Sequence, residues 1–129
     1  MMPVEPGGPP TIHVVRSADA PPEPLGGVGE QRVLFGTVRS DGSPVLLGLS
    51  TVRPGQTSPL IQHDVAEVTY ALAGSGWMVT DASEHPFARG DAMLIDAGCW
   101  HAIRADDAIV QMLYVFANPD APVTRRYGP

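Results

Sequence analysis

The sequence predicts an all-β fold built from short strands. From Arg32 onward, β-rich runs alternate with turns that contain glycine or proline. No window of ten or more residues keeps a helical hydrophobic period, because prolines and glycines interrupt it at short intervals. Regularly spaced short strands are typical of a sandwich or a small barrel, and we expect less than about one-tenth of the residues to be helical.

The strands can be assigned in order from their β-branched and aromatic residues. Asp41-Gly42 predicts a hairpin between the first two strands, and Gly74-Ser75-Gly76 predicts a second hairpin further along the chain. The predicted strands are 33–38, 45–52, 67–73, 77–80, 92–95, 101–104 and 109–116.

The residues before this region differ in composition. Residues 1–30 are rich in proline, which cannot donate to a strand ladder, and only 11–16 looks like a strand. We therefore divide the chain into a proline-rich arm (1–30), a barrel (31–118) and a C-terminal tail (119–129). Because 11–16 has no hairpin mate nearby, we expect the arm to pack on the partner in a homodimer.

Composition narrows the classes of partner. The 129 residues include 14 acidic residues and eight arginines but no lysine, with a formal net charge of -6, which argues against nucleic-acid binding. No apolar run approaches the roughly 20 residues needed to cross a bilayer. A single cysteine and no recognisable signal peptide make the cytoplasm the default location. The expected partner is a small molecule.

Two glycine-bounded stretches carry the candidate chemistry. Residues 55–74 read GQTSPLIQHDVAEVTYALAG, and residues 90–105 read GDAMLIDAGCWHAIRA. The pair resembles the two motifs of the cupin superfamily, G-x5-H-x-H-x3-4-E-x6-G and G-x5-P-x-G-x2-H-x3-N. The resemblance implies a double-stranded β-helix, the jelly-roll barrel of that family, and it covers roughly residues 36–119.

The resemblance also implies a metal site with one ligand missing. His63, Glu67 and His101 fall on the second histidine, the glutamate and the last histidine of the motifs, whereas Ile61 stands in place of the first histidine. Proline and asparagine of the second motif are replaced by Asp96 and Ala105. The chain is therefore identified as a small, divergent member with a three-residue ligand set.

Two histidines and one carboxylate suit more than one divalent metal. They match the facial triad of non-haem iron and also the catalytic zinc site that keeps a water, and Mn and Ni are open as well. Water is the simplest fourth ligand. Alternatives are Gln62, turned inward by a bulge, and Cys99, a soft ligand two residues before His101. The competing interpretation is a decayed site whose histidines are ordinary hydrogen-bonded residues.

A pocket is expected beside these ligands, because Ile61 and His63 share one face of a strand and a barrel makes that face interior. The competing interpretation of the pocket residues is barrel-filling core, and whether Met112, Tyr114 and Phe116 or Leu113 and Val115 face inward stays open. The expected pocket residues are Ile61, Met78, Met112, Tyr114 and Phe116, with Met93 as a further neighbour.

Two functions are consistent with these residues. The first is a metal-dependent enzyme, an oxygenase or cyclase within the range of the family, acting on an apolar or aromatic organic molecule. The second is a binding or sensing module without chemistry, which the loss of the first histidine supports. Arg53 and Arg104 are weaker candidates for binding a substrate carboxylate, and no catalytic residue beyond the metal ligands is identified.

Overall fold

The computed structural model describes residues 8–128, and the fold is almost entirely β. Its only helical residues within that range are two 3-10 turns, Ser17–Asp19 and Thr37–Arg39, so the all-β prediction is confirmed. No helix in the same range is long and apolar enough to cross a membrane. The strands are β1 (Pro22–Pro24), β2 (Gly29–Phe35), β3 (Leu46–Val52), β4 (Ile61–His63), β5 (Glu67–Ala73), β6 (Ser75–Val79), β7 (Glu84–Ala88), β8 (Ala92–Ile95), β9 (Ala102–Ala105), β10 (Val110–Phe116) and β11 (Thr124–Arg126).

These strands form three antiparallel sheets. The largest has the order β1-β2-β3-β10-β5-β8, a second has the order β7-β6-β9, and β11 pairs with β4 alone. Apolar residues of the first two sheets pack together in one buried cluster, with Val110 and Met112 from β10 against Met78 from β6 and Phe87 from β7. The core therefore lies between the two larger sheets.

One predicted turn is correct and one is wrong. β2 and β3 pair antiparallel, and the connection between them contains Asp41-Gly42, as predicted. Gly74, by contrast, joins two strands that do not pair, because β5 pairs with β10 and β8 whereas β6 pairs with β7 and β9. The predicted hairpin there is a corner at which the chain passes between sheets. Gly74 has a φ of 80°, and a Cβ would overlap the Ile109 carbonyl oxygen.

The N-terminal arm is more ordered near the barrel than predicted. β1 pairs with β2 in spite of its two prolines, because a three-residue edge strand needs few donors. The strand predicted over 11–16 is not formed within this chain, and Ile12 and Val14 are 87% and 70% exposed. The first seven residues of the predicted arm lie outside the described range.

Side-chain alternation decides what faces the interior of the barrel. Along β10, Met112, Tyr114 and Phe116 are buried and face the core, which resolves the choice that the sequence left open. The Tyr114 ring reaches across to β3, where it lies over Gly48, its register partner. A Cβ at position 48 would overlap the phenol, so the glycine makes room for the ring.

We predict that Gly48→Ala destabilises the protein by about 1–3 kcal/mol, because the new methyl group displaces a buried ring from a well-packed position. Urea unfolding followed by fluorescence measures the change. The same substitution in a Tyr114→Leu background is expected to cost much less. An equal cost in both backgrounds would show that the ring does not create the requirement for glycine.

Candidate metal centre

Three strands position the candidate ligands at one end of the barrel interior. His63 is the last residue of β4, Glu67 is the first of β5, and His101 immediately precedes β9. Ile61 and His101 exchange backbone hydrogen bonds of 3.0 and 2.8 Å, which join β4 to the start of β9. The short link 64–66 then turns the chain so that Glu67 faces the same space.

The distances between the three side chains fit a single ion. Glu67 Oε1 lies 3.4 Å from His63 Nε2 and 3.2 Å from His101 Nε2. The ligand atoms of all three residues lie within 4.8 Å of one another. When two ligand atoms occupy adjacent coordination positions of one metal ion, each about 2.0–2.1 Å from it, the two atoms lie about 3.0–3.4 Å apart. The group can therefore hold a divalent ion with little movement.

The electrostatics of Glu67 point the same way. The residue is 7% exposed, and within residues 8–128 its Oε1 atom has no hydrogen-bond partner, although the Nε2 atoms of His101 and His63 lie 3.2 and 3.4 Å away. Burial acts to raise the pKa of the Glu67 carboxyl, but His101 and His63 outweigh it, so the pKa lies below its usual value. A buried, ionised carboxylate with an unpaired oxygen favours a cation beside it.

Both imidazoles are oriented by hydrogen bonds at the ring nitrogen that faces away from Glu67. His101 Nδ1 lies 2.9 Å from the Cys99 carbonyl oxygen, so Nδ1 carries the proton there and Nε2 is left to bind an ion. His63 Nδ1 lies 2.8 Å from Thr124 Oγ1. The proton of that hydroxyl can go to the Pro122 carbonyl oxygen at 3.5 Å, so the hydroxyl oxygen can accept from Nδ1 and leave Nε2 of His63 to bind an ion. Such contacts fix the orientation of a metal-binding histidine.

Thr124 is a contributor that sequence reasoning missed. It begins β11, and its register partner is His63 itself. The surrounding segment is tied to β4, because Val123 N donates to Asp64 Oδ1 at 2.9 Å and Tyr127 N donates to the Leu60 carbonyl at 2.8 Å. The C-terminal tail thus forms part of the site wall. Sixty-one residues separate Thr124 from His63, and neither motif signals the contact.

The two alternative ligands point elsewhere. Gln62 Nε2 donates to the Gly98 carbonyl at 3.2 Å, and Cys99 packs against the hydrophobic core with its Sγ 3.7 Å from the Trp100 carbonyl. Neither residue joins the group that can hold an ion. At the position of the missing first histidine, the chain therefore has only the apolar side chain of Ile61, which lines the cavity next to the candidate ligands.

A cavity of about 290 Å³ opens from the three candidate ligands. All five residues expected in the pocket line it, whereas Met93 packs against the core instead. The remaining lining residues are mainly apolar, and Pro119, Ala121, Pro122 and Thr124 come from the C-terminal segment. The five expected residues are Ile61, Met78, Met112, Tyr114 and Phe116.

The cavity is poor in positive charge. Besides the two histidines its ionisable lining residues are Glu67, Glu23 and Tyr114, and none of the eight arginines lines it. Arg39 lines an adjoining depression that also contains Glu23. Burial, with the charges of Glu67 and Glu23, raises the pKa of Tyr114, so the phenol stays protonated.

The two arginines considered for substrate binding are engaged elsewhere. Arg104 makes a bidentate pair with Glu84, at 2.8 and 3.1 Å, and lies 5.7 Å from the centre of the Trp77 ring. Arg53 donates to the Gly27 carbonyl oxygen. Both contacts lie on the outside of the barrel, so neither guanidinium faces the cavity.

The comparisons with known proteins agree with this architecture. The sequence matches the family described as “Cupin domain” over residues 48–116, and no curated protein matches it. Among solved structures, the polyketide cyclase RemF from Streptomyces resistomycificus has a TM-score of 0.76 at 22% identity, over 92% of this chain and 87% of that one. A predicted oxalate decarboxylase from Thermotoga maritima has a TM-score of 0.68 at 24% identity, over 80% and 96%.

A third solved structure, Bacillus subtilis oxalate decarboxylase, was studied for its Mn(II) centres. It has a TM-score of 0.68 at 19% identity, over 78% of this chain and 28% of that one. At such identities the likeness shows the fold. The predicted jelly-roll barrel is confirmed.

We predict that Thr124→Val weakens the binding of a divalent ion by about 10–100-fold, because His63 loses the group that orients its ring. Thr124→Ser keeps the hydroxyl and is expected to stay close to wild type. Competition with a chelator measures the affinity, and Thr51→Val on the outer face of β3 is the matched control. Equal affinities for the Val and Ser variants would exclude this role for the hydroxyl.

Proposed function

The chain belongs to the cupin family, and on that premise we propose that it is a metal-dependent enzyme acting on a small apolar or aromatic organic molecule. The observation that carries the proposal is the convergence of His63, Glu67 and His101 at one end of a mainly apolar cavity. A cavity of about 290 Å³ is close to the lower end of small-ligand sites, at roughly 300 Å³, and suits a molecule of one or two rings.

In this proposal the three residues hold one divalent ion, with iron, zinc, manganese and nickel as the candidates. A bound ion of this kind supplies Lewis acidity to a substrate oxygen or, if redox-active, a place for dioxygen. The side chains hold the ion through His63 Nε2, His101 Nε2 and a carboxylate oxygen of Glu67. Thr124 and the Cys99 carbonyl keep both imidazoles oriented.

Ile61 and the other aliphatic side chains that line the cavity determine which substrates fit in it. Where the family motif has a fourth ligand, this chain has a hydrocarbon side chain, so one side of the ion faces apolar surface. A small dianion such as oxalate would meet the carboxylates of Glu67 and Glu23 without an arginine to pair with. These features favour a cyclase or an oxygenase over an oxalate decarboxylase.

The alternative is a barrel that binds or senses a small ligand without chemistry. The replacement of the first motif histidine by Ile61 is the observation that favours it. In that case the histidines and Glu67 form a buried polar cluster without an ion, and ligand binding does not depend on metal.

Metal analysis separates the two functions. We expect protein purified without a chelating tag to contain about one divalent ion per chain, and His101→Ala to lose it, because two protein ligands are too few to hold the open site. His85→Ala, at an exposed position bonded to Ser83, is the control. If neither purified nor reloaded wild type holds stoichiometric Fe, Zn, Mn or Ni, the metal-free alternative is correct.

We also propose that the protein is a homodimer in which the arm of each protomer packs on its partner. Two exposed apolar surfaces of the chain suit one another. Val68 of β5 and Leu94 of β8 are register partners, 50% and 68% exposed, and Tyr70 extends the patch. In the arm, Ile12 and Val14 are exposed along an extended segment without a ladder partner. A second copy would cover both surfaces.

Light scattering is expected to give about twice the 13.6 kDa chain mass at micromolar concentration. The double variant Ile12→Asp with Val14→Asp is expected to be monomeric, because two buried charges without partners oppose association. Ile109→Asp, an exposed apolar position outside both surfaces, should leave the dimer intact. A monomeric wild type would refute the proposal.

A further inference from the structure

Thr69 has a buried hydroxyl without a partner. The residue is 3% exposed and lines the cavity, and within residues 8–128 its Oγ1 atom has no hydrogen-bond partner. Among the residues that the structure describes, the only other buried side-chain oxygen without a partner is Glu67 Oε1. An unpaired buried hydroxyl costs about 1–3 kcal/mol, and a hydrogen bond from a molecule in the cavity would remove that cost.

Thr69 and Glu67 share the inner face of β5. They are two residues apart, so their Cα atoms are separated by about 6.6 Å along the strand. This distance lies between the separation of two opposite oxygen substituents on one six-membered ring and that of two such substituents on a pair of fused rings. A molecule held at the metal end of the cavity by one oxygen therefore brings its opposite side to Thr69.

The side chain opposite Thr69 on the neighbouring strand does not partner its hydroxyl. Tyr114 of β10 is the register partner of Thr69, but its ring lies over Gly48 on β3 and the phenol donates to Gln31 Oε1 at 3.3 Å, so the phenol points away from β5. Because no arginine lines the cavity, nothing here would neutralise an anionic substituent.

We propose that Thr69 is the centre of a second subsite that recognises a neutral oxygen substituent, a hydroxyl or carbonyl, on an aromatic substrate. The substrate class is then a compact ring compound with oxygen functions on opposite sides. One oxygen lies at the His63–Glu67–His101 end, and the other hydrogen-bonds to Thr69 Oγ1. This inference rests on the proposed small-molecule function, but the subsite itself does not require the ion.

Three naphthalene probes with different groups at one position test the subsite. They are 2-naphthol, 2,6-dihydroxynaphthalene and 6-hydroxy-2-naphthoate, titrated against chelator-treated full-length protein by probe fluorescence. We expect the diol to bind roughly three- to tenfold more tightly than 2-naphthol, as one net hydrogen bond provides, and the naphthoate to bind more weakly than either. In Thr69→Val, which keeps the shape, the advantage of the diol is expected to disappear while 2-naphthol binds as before.

Thr51→Val, a threonine of β3 outside the cavity, is the matched control and should keep the preference for the diol. Three results would overturn the proposal. The first is that the wild type binds the diol and 2-naphthol equally, the second is that the preference for the diol survives in Thr69→Val, and the third is that no probe binds at all. Repeating the titrations with metal-loaded protein separates the two proposals. A Thr69-dependent preference in a protein that takes up no metal would support the subsite and refute the metal-dependent enzyme.

Discussion

The structure depends most on one buried carboxylate that faces two imidazoles. Glu67 is ionised in the barrel interior, and none of the described residues is a hydrogen-bond partner of its Oε1 atom, while two Nε2 atoms lie 3.2 and 3.4 Å away. An ionised group in such a place is costly unless positive charge is close to it. The bridge between Ile61 and His101, the turn into β5 and the contact of Thr124 with His63 all serve to hold these three side chains together.

Where the family motif has a further ligand, this chain has the hydrocarbon side chain of Ile61, which lines the cavity together with the three candidate ligands. The C-terminal segment adds to this hydrocarbon lining, since Pro119, Ala121 and Pro122 also line the cavity. Such a cavity holds an apolar body and contacts its oxygen atoms at defined points, which unites the proposed metal function with the proposed subsite at Thr69.

The sequence was most informative where structure is local or periodic. Glycine and proline turns with short β-branched runs predicted the all-β fold, and the alternation of side chains placed Ile61 and His63 on one face. Motif spacing also predicted the three residues that the structure brings together. The turn at Gly74 was misassigned because a corner between sheets and a hairpin use the same residues, and only the pairing partners of the strands distinguish them.

Long-range contacts could not be predicted in this way. Thr124 contacts His63 although the two residues are 61 positions apart in the sequence, and nothing in the neighbours of Thr124 marks it as part of a site. The same holds for Thr69, whose unpaired hydroxyl is visible only once the surrounding side chains are in place. The inner face of β10 was also undecided, because Leu113 and Val115 are as apolar as the residues that turned out to be buried.

The central claim is that this chain holds a divalent ion through two imidazoles and one carboxylate. X-ray absorption spectroscopy of the metal-loaded protein tests it most directly, because multiple scattering from imidazole rings counts the coordinated histidines. The account predicts two imidazole nitrogens, with the remaining ligands being oxygen at about 2.0–2.2 Å and no sulfur at about 2.3 Å. A shell with no imidazole, or one containing the Cys99 sulfur, would contradict it.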